Sequence, residues 1–219
     1  MNAPINYTRL GLAERAYGKL GYEQRDLPWL VPEKAILMTL PGGSAPDSLE
    51  RRLRQIAETW KRDEEQLSLL GSAEQAFVHE MMTDTDLEVG TKYYAITPCF
   101  RDEPVLDRLH RRHFMKLELF QQLPSHASNL DAACAVGDMI EASIQVMTQV
   151  TCSGYYDTRV ELQQVATPDG VDLEIAGIEV GSYGYRRTNG LLWAYGTGLA
   201  EPRMSEALEV LRQSRLSSR

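Results

Sequence analysis

The chain has 219 residues, 43% of them hydrophobic, enough for the core of one large domain or two small ones. A formal net charge of −8 argues against a broad nucleic-acid-binding face, because phosphate contacts need positive charge. The three widely spaced cysteines (Cys99, Cys134 and Cys152) indicate neither a disulfide framework nor a zinc motif, and with no signal-peptide pattern or membrane-length apolar run a cytoplasmic protein is expected.

Residues 7–20 carry an amphipathic helical pattern, and beyond Gly21 an extended segment is predicted near 27–31. A Gly/Pro/Ser-rich loop at 41–47 leads into a helical pattern over 48–69. There Arg51, Arg52, Arg54, Lys61 and Arg62 mix with acids, as on a solvated helix face. An apolar strand is predicted at 66–70 and a helix at 73–83. Residues 93–99 read as an apolar strand that loops out through basic residues and returns as an alternating strand at 112–120. A long helix (129–150) and a strand (157–165) precede a turn at Thr167-Pro168-Asp169-Gly170. Strands at 173–181 and 191–195 and a closing helix at 205–214 complete the chain. Hairpins with helices packed on one face imply an α+β domain with a mainly antiparallel sheet.

Two segments carry the chemistry. In Thr97-Pro98-Cys99-Phe100-Arg101-Asp102-Glu103 an arginine and an acid stand at the root of the hairpin, with Phe114 at the start of the return strand. Such a trio suits a nucleotide, with guanidinium on phosphate, ring on base and acid on an amine or hydroxyl. In Gly196-Thr197-Gly198-Leu199-Ala200-Glu201-Pro202-Arg203, glycines between a strand and a helix let the backbone approach a ligand, and Arg203 falls in the first helical turn.

These segments resemble motifs 2 and 3 of the class II aminoacyl-tRNA synthetases, nearest the seryl and prolyl types. Residues 7–32 resemble motif 1, which in that family builds the dimer interface. Ser72-Ala73-Glu74 resembles the loop that holds the substrate's ammonium group, and Gly177 to Gly184 resembles the strand before motif 3. The resemblance implies ATP and magnesium as cofactors and a homodimer of single catalytic domains spanning 1–219. It implies that Arg101 grips the α-phosphate, Glu103 lies at the adenine, Phe114 stacks on it, Glu179 holds metal and Arg203 takes the γ-phosphate. Arg101 and Arg203 are then the catalytic pair, and Ser72, Glu74, Glu118, Ser182 and Gly184 form the amino-acid pocket.

Each residue also has a plainer reading. Arg101 and Glu103 make a surface ion pair, Phe114 a core aromatic on a half-buried strand, Glu74 a helix-initiating acid, and Glu179 a solvated strand residue. Their joint order favours the nucleotide reading. Residues 1–6 and 214–219 alone lie outside the motif-bearing span, so a core without an anticodon-binding domain is expected. The expected function is ATP-dependent activation of a small amino acid, with transfer to a carrier protein, a small molecule or a minimal tRNA. A minimal tRNA-charging enzyme and a non-catalytic regulatory subunit are the alternatives.

Overall fold

The computed structural model describes residues 3–40, 67–83, 87–101, 105–152 and 160–217. The loop expected at 41–47, most of the charged helix at 48–69, Glu103 and the start of the strand expected at 157–165 lie outside the described residues.

Helix α1 (Tyr7–Lys19) starts where the Asn6 side chain accepts from the Arg9 amide at 2.9 Å. Strand β1 (Glu23–Gln24) follows the turn at Gly21, whose φ of +84° suits glycine. Strand β2 (Leu30–Pro32) pairs antiparallel with β3 (Leu67–Leu69) as a separate ribbon, with α2 (Glu33–Met38) directly after β2. Helix α3 (Ala73–Met82) leads to the long hairpin of β4 (Lys92–Phe100) and β5 (His113–Leu123). Helix α4 (Asn129–Cys152) begins at a reciprocal Ser128–Asp131 cap. Strands β6 (Gln163–Thr167), β7 (Gly170–Ile175), β8 (Ile178–Thr188) and β9 (Leu191–Glu201) precede α5 (Arg203–Ser217).

The main sheet has seven strands in the order β1-β4-β5-β9-β8-β7-β6. The β1–β4 pairing is parallel and the other five are antiparallel. The α+β class and the mainly antiparallel sheet are therefore as expected.

The helices do not pack on one face, as their sequence pattern implied, but on both. Strand side chains alternate, so Leu117 and Leu119 of β5 join α1, α4 and α5 in one core. Phe120, Tyr93 and Trp193 join α2 and α3 in another. Phe77 of α3 stacks on Phe120 with centroids 4.5 Å apart. Burying a side chain of this kind stabilises the fold by about 1.5–3 kcal/mol. The run Tyr93-Tyr94-Ala95, buried on both sides, is the local mark of a sheet covered twice.

Two further differences have simple causes. The strand expected at 173–181 is broken into β7 and β8 by a tight turn at Ala176-Gly177, with φ of +51° and +75°. Positive φ at both central positions is the hairpin turn that follows strand twist, and Ala-Gly is a weak signal for it. The strand expected to stop at Tyr195 runs on through the glycines to Glu201. A Cβ on Gly196 would stand 2.2 Å from Cδ1 of Tyr183, and one on Gly198 2.9 Å from the Tyr17 ring. The clearance expected to admit a ligand is filled by two of the chain's own aromatic rings.

Candidate active site

A cleft opens where β4 ends, β5 begins and β9 ends. The register sets Cys99 opposite Phe114 and Lys116 opposite Ala200. Arg101, Phe114, Lys116, Glu179, Thr197 and Arg203 consequently line one cavity. Arg101 Cζ lies 5.1 Å from the Phe114 ring centroid and Lys116 Nζ lies 6.0 Å from it. Two cations close to one ring set a flat aromatic beside positive charge, an arrangement that suits a base joined to phosphates.

The loop beyond Arg101 is held at its root and at its tip. The Arg101 amide donates to the Arg112 carbonyl at 2.9 Å. Asp107 accepts from the amides of Leu109 and His110 at 2.7 and 2.8 Å and meets the His110 ring at 3.0 Å. The His110 ring, then the two amides, hold its carboxyl at about 2. Farther along, Arg111 Nη2 donates to Glu206 Oε1 of α5 at 3.1 Å.

Arg203 Nη1 donates to Glu179 Oε1 at 2.9 Å. Their side chains are 27% and 43% exposed, and a pair so accessible contributes about 0–1 kcal/mol. Phosphate oxygens can therefore displace the carboxylate at small cost. Glu201, also on the cavity wall, is wholly buried and paired directly with Arg9 of α1. Burial pushes the Glu201 carboxyl up, while Arg9 and Ser205 pull it down.

The residues expected to bind an amino acid lie one layer away, and none of them lines this cavity. Glu118 sits opposite Thr197 in the register. It accepts from Ser72 Oγ at 2.6 Å, from the Ala73 amide and from Lys116 Nζ at 3.3 Å. A carboxylate on the first amide of α3 complements the helix dipole. Ser72 itself caps α3, its side chain accepting from the Glu74 amide at 3.3 Å. Glu74 Oε1 accepts from Arg186 Nε at 3.0 Å and from Trp193 Nε1 at 2.8 Å. Arg186 and Trp193 are a cross-strand pair on β8 and β9. Burial pushes the Glu74 carboxyl up against the opposing pull of Arg186 and Trp193. Ser182 stands opposite Asp172 in the β7–β8 register. A Cβ on Gly184 would meet Tyr195 Oη at 2.7 Å.

Among the described residues no group of three His, Cys, Asp or Glu side chains forms a metal cage. The single carboxylate of Glu179 fits magnesium, an ion that takes one or two protein ligands and completes its shell with phosphate oxygens and water.

The structure thus brings together Arg101, Phe114, Glu179 and Arg203, and it places Ser72, Glu74 and Glu118 in an adjoining hydrogen-bonded layer. Lys116 and Glu201 also line the cavity, Arg186 and Trp193 hold Glu74, and Arg9 holds Glu201, roles that no sequence motif assigns. For Arg186 a signal existed: it follows Ser182 and Gly184 at strand period, on the same face.

No protein-family profile and no curated protein matches the chain. Two solved structures from Desulfitobacterium hafniense share its fold. A crystal structure of pyrrolysyl-tRNA synthetase aligns with a TM-score of 0.59 at 13% identity, covering 94% of this chain and 69% of that one. A structure of PylSc, a pyrrolysyl tRNA synthetase, aligns with a TM-score of 0.62 at 15% identity, covering 93% and 68%. The fold is that of the class II synthetases.

Proposed function

We propose that this chain activates a small amino acid with ATP, forming an aminoacyl-adenylate and pyrophosphate. The observation that carries the reading is the shared cavity in which Arg101 lies over Phe114 while Arg203 and Glu179 face it from the β9–α5 junction and β8. Its seryl- or prolyl-type character rests on the sequence segments around Ser72-Ala73-Glu74 and Thr97 to Arg101.

In this reading adenine stacks on Phe114, Arg101 binds the α-phosphate and Arg203 the terminal phosphates. A carboxylate oxygen of the amino acid attacks the α-phosphorus, an oxygen–phosphorus bond forms, and the bond to pyrophosphate breaks with its electron pair leaving on the pyrophosphate. Little covalent work falls to the protein, because positioning and charge neutralisation lower the barrier. Magnesium, when bound with the nucleotide, neutralises phosphate charge, and Glu179 is the residue to hold it. Glu74 takes the substrate's ammonium group, with Ser72, Glu118, Ser182 and Gly184 around it.

The acceptor in this reading is a carrier protein, a small molecule or a minimal tRNA. A net charge of −8, with basic side chains gathered at the cavity, supports an acceptor gripped locally over one held along a broad face. Two copies pair through residues 12–32, where Leu20 and Trp29 are exposed. Pyrophosphate exchange into ATP, run with magnesium across single amino acids, tests the reaction. Exchange with one amino acid supports it and names the substrate, whereas ATP binding without exchange for any amino acid overturns it.

A further inference from the structure

We propose that Arg9 is a positioning residue for the nucleotide: from α1 it holds Glu201 and Ser205, two residues before and two after Arg203, and so aims Arg203 at the terminal phosphates. The inference rests on the ATP reading above and adds to it a residue from the far end of the chain.

The geometry is a closed triangle. Arg9 Nη1 pairs directly with Glu201 Oε1 and donates to Ser205 Oγ at 2.8 Å, and Ser205 Oγ donates to Glu201 Oε2 at 2.8 Å. The Arg9 and Glu201 side chains are 8% and 0% exposed. The next residue of α5 is braced from the same side, since Glu206 accepts from the Ala3 amide at 2.7 Å and from Arg111. Apolar side chains of similar volume would hold this junction at least as firmly as a buried ion pair. What the triangle adds is direction, because its donors and acceptors meet in only one orientation of the strand end and the helix start. Among the described residues the one ion pair that orients the head group of Arg203, the first residue of α5, is the accessible contact with Glu179, so its backbone is aimed by its neighbours.

The test is calorimetric titration of ATP and of AMP, each with magnesium, into the wild type and into Arg9→Met, Arg9→Lys and Arg203→Ala. AMP has no terminal phosphates and reports only the Arg101–Phe114 end. Arg9→Met is expected to weaken ATP about tenfold while AMP stays within about twofold, and Arg9→Lys to recover most of the loss. Unchanged ATP affinity in Arg9→Met, or equal losses for ATP and AMP, overturns the proposal while the ATP reading stands. A wild type that binds no ATP overturns both. Should Arg9→Met fail to fold, Ser205→Ala removes one corner of the triangle and is expected to show the same selective loss of ATP; equal affinities there overturn the proposal.

Discussion

Arg203 and Glu179 face each other at 2.9 Å across the mouth of the cavity, a cation and an acid joined in a pair that solvent reaches. The two residues belong to different elements, and each keeps its charge available to a ligand. Replacing Arg203 with alanine is expected to lower pyrophosphate exchange by about 10²–10³, the usual loss when one preorganised charge at a developing anion is removed. The circular-dichroism spectrum should not change, since the pair is too exposed to support the fold. Exchange at the wild-type rate would remove Arg203 from the site.

Phe114 separates stacking from charge. Phe114→Ala is expected to weaken ATP by about 1–3 kcal/mol, as base–aromatic stacking does elsewhere. Phe114→Tyr should retain the affinity. If Phe114→Ala instead lowers the midpoint of urea unfolding and leaves ATP affinity alone, the ring is a core residue.

Glu74 has two possible tasks, and one isostere distinguishes them. Glutamine keeps an oxygen to accept from Arg186 and Trp193, so Glu74→Gln should leave the urea midpoint close to that of the wild type. The sign agrees, because burial, together with the nearby Glu118 carboxylate, raises the carboxyl against the pull of Arg186 and Trp193, so the charge itself does not stabilise the native state. The KM for the amino acid should nonetheless rise far more than the KM for ATP. Equal rises would place the ammonium site elsewhere.

Asp107 makes the loop at the cavity mouth sensitive to acid. Its pKa is lowered from 3.8 to about 2, so its bonds to Leu109 and His110 are fully present above the ordinary value and are lost as the pH falls through about 2. Amide-exchange protection at Leu109 and His110 should follow that course in the wild type and be missing at every pH in Asp107→Ala. Protection that persists in the alanine variant would mean the loop is held by something else.

Gly196→Ala tests the filled glycine stripe. The new methyl would meet the Tyr183 ring at 2.2 Å, and Tyr183 is fixed by its hydroxyl on the Thr197 carbonyl at 2.6 Å. A loss of about 1–3 kcal/mol or more is expected from the urea midpoint, as for overpacked cores generally. A stability equal to that of the wild type would show that Tyr183 yields easily.

Local pattern and motif order were enough to locate the hairpin around Thr97 to Phe114, the helix begun at Asn129, a closing helix with Arg203 in its first turn and the α+β class with its mainly antiparallel sheet. Strand alternation and helical periodicity are properties of neighbouring residues, and the chain itself carries them. The cluster Arg101, Phe114, Glu179 and Arg203 was legible for a related reason, since each stands at the end or start of an element. Tertiary structure alone decided who pairs with whom. Glu74 finds Arg186 across 112 positions and Glu201 finds Arg9 across 192. Which face each helix covers and which rings fill the space over Gly196 and Gly198 were settled in the same way. A buried charge must take whichever partner the strand order brings beside it, and strand order is not written in any local period.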